Sequence, residues 1–289
     1  MNLFPLRQSP LDTKPRKPVT MYRMEPEDCY TIGEISKKFH LDDSTVYAHI
    51  RKYSIPTRQI GNYVYAHKAS IDKLYKDIKL VHVSATIETM GDAYRKLGEL
   101  LGMEEEAETL ATYCDETYAM VKDVAEHVEK ANLLYITGDA GLNVIAQGSY
   151  HAEIIDLLSN NLAVVDSPSS KGTGNEVDME QLMLWNPDVI LFAPDSVYAS
   201  VGDDPLWQSL TAIQNGSYYE APMGPYNWMG FPPSVQRYLG MLWMAKLLYP
   251  DAADYDLQAE VTEYFDLFYH CALTGEQYEA LMANSIGKQ

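Results

Sequence analysis

Cysteine is scarce in this chain. Cys29, Cys114 and Cys271 are the only three among 289 residues, too few and too scattered for a disulfide framework. Each is expected to behave as a small buried hydrophobe. Long apolar runs are missing too: no stretch reaches the 18 consecutive apolar residues that a membrane-crossing helix requires, so membrane insertion is not expected. The opening segment MNLFPLRQSPLDTKPRKPVTMYR has prolines and charge but no apolar h-region. It does not read as a secretory signal, which makes the cytoplasm the expected compartment. Seven histidines, among them His82, His127, His151 and His270, show no zinc spacing, and nucleophile-elbow, HExxH and paired-cysteine motifs are lacking. No metal site, no catalytic residue, no required cofactor and no enzymatic activity are therefore expected.

Basic residues are also few, 22 against 41 acidic ones for a net charge of −19, but they are unevenly placed. Residues 1–84 carry 14 basic and 9 acidic side chains, net +5, whereas the remainder carries 8 and 32, net −24. The chain is electrostatically two objects. With 46% apolar residues it can bury a sizeable core, and its length suits one large domain and a small one.

Residues 1–28 contain Pro5, Pro10, Pro15, Pro18 and Pro26 and read as a flexible tail. Ile32, Ile35 and Phe39 then fall on one helix face. Asp42 can cap a second helix that buries Val46 and Ile50 and ends before Pro56. RQIGNYVYAH carries a hairpin signal around Gly61 and Asn62, and KASIDKLYKD supplies a third helix with Ile71, Leu74 and Tyr75 inward. This makes residues 29–78 a small α+β domain. With Val46 and Ile50 buried, the opposite face of the second helix presents Ser44, Tyr47, Ala48 and Arg51, groups suited to base edges and phosphates.

Beyond residue 79, strand-like runs alternate with amphipathic helices. The strand candidates are LVHV (80–83), LLYI (133–136), AVV (163–165), VILFA (189–193) and YYEA (218–221). A helix over 87–101 carries the stripe Ile87, Met90, Tyr94, Leu97 and Leu101, and a final long helix is expected over about 232–249. Strands separated by helices predict a three-layer α/β domain over 79–289 with a largely parallel sheet.

Two resemblances follow from these segments. YTIGEISKKFHLDDSTVYAHIRKYSIPTRQIGNYVYAHKASIDKLY resembles the excisionase and MerR-type winged helix-turn-helix. That resemblance implies that Ser44, Thr45, Tyr47 and Ala48 face a DNA groove and that Arg51, Lys52 and Arg58 contact phosphate. AQGSYHAEIIDLLSNNLAVV, EVDMEQLMLWNPDVILFAP and PYNWMGFPPSVQRYLGMLWMAKLLYPD resemble the C-terminal lobe of the ABC-transporter substrate-binding proteins for ferric siderophores, cobalamin and haem, the class III periplasmic binding proteins. ETMGDAYRKLGELLGMEEEAETLATY resembles that family's long linking helix. Glu180 would then match the glutamate that docks on permease arginines.

Ligands of parallel α/β sheets sit at the carboxyl ends of the strands. The loops there offer Tyr150, Lys171, Tyr198, Tyr226 and Trp228 as ligand-binding candidates, the aromatics to stack on flat ligands and Lys171 to meet an anion. The implied ligand is a metal chelate, a corrinoid, haem or an oxyanion. Together the segments lead to the expectation of a cytoplasmic one-component transcriptional regulator: a homodimer on double-stranded DNA whose lobe senses a small molecule. The alternative is an ABC-transporter substrate-binding or accessory protein for iron complexes or corrinoids, with the small domain serving protein contacts.

Overall fold

The computed structural model describes residues 24–76, 81–194, 196–230 and 232–286. Most of the expected tail, residues 1–23, lies outside them; Pro26–Asp28 within it form a single 3₁₀ turn. Cα proximity divides the chain into two compact units, Met1–His82 and Val83–Gln289.

The small unit runs β1 (Cys29–Thr31), α1 (Ile32–Phe39), α2 (Asp43–Lys52), β2 (Thr57–Ile60), β3 (Tyr63–His67) and α3 (Lys68–Lys76). The sheet is antiparallel in the order β1-β3-β2. Local chemistry sets the helix ends. Thr31 and Glu34 form a capping box at α1: the Glu34 amide donates to Thr31 Oγ1 at 3.2 Å and the Thr31 amide to Glu34 Oε2 at 2.8 Å. α1 stops where His40 adopts a left-handed φ of 52°. Asp42 caps α2 through the Thr45 amide at 2.9 Å. Ile32, Ile35, Val46, Ile50, Ala66, Ile71 and Tyr75 close one core.

The large unit begins with α4 (Met90–Leu101) and α5 (Glu104–His127), followed by β4 (Asn132–Thr137), β5 (Asn143–Val144), α6 (Glu153–Leu158), β6 (Asn160–Asn161), β7 (Asn175–Glu176) and α7 (Met179–Trp185). Then come β8 (Val189–Phe192), α8 (Tyr198–Val201), α9 (Thr211–Gln214), β9 (Tyr218–Glu220), α10 (Arg237–Leu248), α11 (Leu257–Tyr269) and α12 (Gly275–Met282). The sheet order is β7-β5-β4-β8-β9, with β6 also paired to β4. β4, β6, β8 and β9 are parallel, whereas β5 and β7 add an antiparallel margin.

Strand alternation sorts the core into two layers. Leu133, Tyr135 and Leu191 face a cluster with Tyr238, Leu242, Trp243 and Tyr264 from α10 and α11. Leu134, Ile136, Ile190 and Phe192 face Leu182, Trp207 and Ile213 on the other side. Helices thus cover both faces of a sheet whose central strands have apolar interiors, as the three-layer expectation requires.

Several expected elements move. Of LVHV, Leu80 lies outside the described residues and Val81 to Val83 form no strand. AVV is not a strand either. The pairing falls earlier, on Asn160–Asn161 beside Asn132 and Leu133, and the Asn161 side chain then takes the Ala163 amide at 3.1 Å as the chain leaves the sheet. The single linking helix is instead a hairpin in which α5 is the long member. Gly98 lies so close to Ala107 that an added Cβ would come within 2.4 Å of its methyl group, and Arg95 ties α4 to Glu108 and Asp115 at 2.8 Å each. With α5 on that face, Leu97 and Leu101 of the expected stripe point outward. The last long helix starts at Arg237, after the turn that follows Pro232 and Pro233.

Candidate solute-binding site

At the carboxyl ends of β4 and β8 lies a cavity of about 420 Å³. Tyr135 and Thr137 reach it from β4, Asn143 from β5, Ala193 from the end of β8, Gly172 and Thr173 from the loop before β7, and His151, Asn227 and Met229 from the opposite wall. Its position follows from the topology, because loops that leave adjacent parallel strands must diverge there.

The wall is braced by hydrogen bonds among its own members and to residues behind them. Asn227 Nδ2 donates to the Tyr135 hydroxyl at 2.9 Å while Asn227 Oδ1 accepts the Met229 amide at 2.8 Å. Thr137 Oγ1 donates to the Thr173 carbonyl at 2.9 Å, and Ser196 Oγ donates to the Gly138 carbonyl at 3.0 Å. His151 Nδ1 stands 3.1 Å from the Gly230 carbonyl. A carbonyl can only accept, so Nδ1 is the donor in this bond. Gly174, at φ 73°, is required by close approach: an added Cβ would lie 2.2 Å from the Val144 carbonyl oxygen. Among the described residues, Asp139 is the one carboxylate on the lining, and neither lysine nor arginine belongs to it. The site offers hydroxyls, amides and an imidazole, a set that binds a compact polar solute by hydrogen bonding.

None of the five expected ligand residues lines this cavity, yet the lining residues stand next to most of them in sequence. Trp228 is fully buried, with Nε1 donating to the Gly224 carbonyl at 3.1 Å; it is core and not rim. Tyr198 packs on Phe192 and Tyr218, and burial raises its phenol pKa. Tyr150, 44% exposed, has its hydroxyl between the Ala85 carbonyl and Arg237 at 3.1 and 3.2 Å. Arg237 itself is buried against Glu153 and stacks on the Tyr150 ring. Lys171 and Tyr226 are exposed. The residues that do line the cavity are His151 beside Tyr150, Gly172 and Thr173 beside Lys171, and Asn227 between Tyr226 and Trp228. Strand-end position was the signal that could have found them; side-chain size pointed to their neighbours. Glu180 is exposed in the first turn of α7.

In the small unit, the hydroxyls expected to face DNA turn back on their own helix. Ser44 Oγ and Thr45 Oγ1 both donate to the Asp42 carboxylate, and these bonds hold that carboxyl well below the usual carboxylate range. Arg58 donates to the Met24 carbonyl at 3.0 Å, and Lys52 lies over the Tyr53 ring. Tyr47, Ala48 and Arg51 are exposed.

The profile of the periplasmic binding protein family matches residues 58–223. The chain belongs to that family. It is 34% identical over 98 residues to the molybdate-binding protein MolA of Haemophilus influenzae, a segment covering 32% of this chain and 27% of MolA. It is 24% identical over 155 residues to the Fe(3+)-citrate-binding protein YfmC of Bacillus subtilis, covering 52% of this chain and 48% of that protein. The chain thus spans about a quarter and about half the length of the curated relatives it matches. Among solved structures, an ABC transporter solute binding protein from Sulfurospirillum deleyianum superposes with a TM-score of 0.64 at 29% identity, covering 68% of this chain and 62% of that one.

Membership of this family overturns the expectation of a cytoplasmic, DNA-bound regulator: the family is that of the periplasmic binding proteins, and the matched proteins are named for binding solutes. The match also starts at Arg58, inside the small unit that had been read as a DNA-binding domain. Of the residues expected to contact DNA, Arg58 lies within the matched segment, and Ser44, Thr45, Tyr47, Ala48, Arg51 and Lys52 precede it. Among the described residues no helix is long and apolar enough to cross a membrane.

Proposed function

We propose that this chain is the solute-binding component of an ABC transport system, acting outside the cytoplasm and holding its solute against Tyr135, Thr137, Asn143, His151, Thr173 and Asn227. It acts as a binding protein, without chemistry of its own. The observation that carries this reading is the hydrogen-bonding cavity at the carboxyl ends of β4 and β8 in a chain of this family. Its size, at the lower end of small-molecule sites, and its polar lining favour a compact oxyanion or iron chelate over a corrinoid or haem. The relatives named for molybdate and Fe(3+)-citrate support the same class.

Tyr150, Lys171 and Tyr226, exposed beside the lining residues, are assigned to the outer face of the bound solute, and Glu180 to permease contact. The small unit, whose order of elements resembles a winged helix-turn-helix, serves protein contacts. A thermal-shift comparison of molybdate, tungstate, ferric citrate, haem and cobalamin tests the assignment, because a ligand that binds only the folded state raises its stability by mass action. Molybdate or ferric citrate should raise Tm. A response to haem or cobalamin alone would refute the compact-solute assignment.

A further inference from the structure

A second cavity, of about 550 Å³, lies beside β9 and, among the described residues, shares no lining residue with the first. Its walls are Met223 and Pro225 of the loop after β9, Phe265 and Tyr269 of α11, and Leu273 and Leu281 around α12. The floor is held in place by the C-terminal segment, which pairs with the free edge of β9. The Glu220 amide donates to the Asn284 carbonyl at 3.0 Å, Ser285 Oγ donates to the Glu220 carbonyl at 2.6 Å, and Trp243 Nε1 donates to the Ser285 carbonyl at 2.7 Å.

Among the described residues, Glu220 is the one charged side chain on this lining. Asn284 Nδ2 donates to its Oε2 at 2.8 Å, and no hydrogen-bond partner of Oε1 is found among the described residues. Volume, apolar walls and a single carboxylate define complementary chemistry. The volume is that of a small-molecule site. The walls require an apolar body, and the Phe265 and Tyr269 rings add faces that attract a cation. Among the described residues, the only charged group an anion would meet there is the Glu220 carboxylate.

We propose that this cavity binds a small amphipathic cation, an aromatic or alkyl body carrying one ammonium group that pairs with Glu220. The site is independent of the solute cavity and of the function assigned to it.

The test is calorimetric titration of the full-length protein with 4-phenylbutylamine and, separately, with 4-phenylbutyrate, which has a similar body and the opposite charge. The amine should bind saturably and at least about tenfold more tightly than the acid. Glu220→Gln should remove that preference while Tm changes little. Leu281→Phe, which fills the cavity with a modest change in core volume, should weaken the amine by about tenfold or more. Cys271 is exposed at the cavity whereas Cys29 and Cys114 are buried, so amine binding should also slow Cys271 modification by a thiol reagent. Absence of saturable amine binding, equal affinity for amine and acid, or amine affinity unchanged in Glu220→Gln would overturn the proposal.

Discussion

The helix α2 of the small unit and the strand ends of the large unit are both rich in hydroxyl and amide side chains, and they use them in opposite ways. On α2, Ser44 and Thr45 donate to Asp42 and so complete a helix cap. At the end of β4, Thr137 donates to the Thr173 carbonyl and Asn227 to the Tyr135 hydroxyl, bracing a cavity that Asn143 also lines. The residue types are alike, and the nearest acceptor decides their role. A hydroxyl with a carboxylate two or three residues away in the chain satisfies it locally, whereas one at a strand end has only distant partners and becomes part of a wall.

The most severe way to break this contrast is at Trp228. Trp228→Ala should destabilise the large unit by about 3–5 kcal/mol, as expected for emptying a fully buried aromatic site, measured by chemical denaturation. If Trp228 instead stood at a ligand rim, the substitution would leave stability nearly unchanged and remove solute affinity.

Somewhat smaller is the effect at the Arg237 and Glu153 pair, where Arg237 is 3% and Glu153 19% exposed. Arg237→Met should cost about 3 kcal/mol because it leaves a largely buried carboxylate unpaired. Adding Glu153→Gln should recover most of that loss. Failure of the double variant to recover would mean that packing against Tyr150, and not charge, is what Arg237 supplies.

Asn227→Ala sharpens the comparison at the cavity itself. It strands the buried Met229 amide and removes one hydrogen bond to the Tyr135 hydroxyl, for an expected loss of about 1–3 kcal/mol. Solute affinity, followed by titration, should fall alongside it. Stability loss with solute affinity intact would place the solute elsewhere.

The mildest test is pH on α2. The Asp42 carboxyl is held below its ordinary value first by Ser44, then by Thr45. A depressed carboxylate contributes stability that is fully present above the unfolded pKa, near 3.9, and is lost as pH falls through the lower folded pKa. Hydrogen exchange at the Thr45 amide should therefore be protected at neutral pH and lose protection only in strong acid. Asp42→Asn, which keeps the cap but not the charge, should remove that acid dependence.

Much of the architecture was legible because it rests on local rules. The α2 cap, the Gly61 hairpin and the strands β4, β8 and β9 are written in periodicity and turn chemistry. The AVV strand failed because three apolar residues carry no register, and pairing was decided by β4 and the Asn161 side chain instead. The loops of the site were legible from the strand-end rule, but the side chains within them were not. Tyr198 and Trp228 are large and apolar enough for the core to claim, and no local pattern distinguishes a stacking ring from a packed one. Function failed for a related reason: the exposed face of α2 has the composition of a DNA reader, while the capping geometry that employs its hydroxyls becomes visible only in three dimensions.

The central claim is that solute binds at the ends of β4 and β8 and that the face of α2 takes no part in it. Its most direct test is calorimetric titration of the full-length protein with molybdate and with ferric citrate, comparing His151→Ala and Thr137→Val with Arg51→Ala. Saturable binding of one solute, weakened by about tenfold or more in the two cavity variants and unchanged in Arg51→Ala, is the predicted result. Cavity variants that bind as tightly as the unsubstituted protein would contradict it.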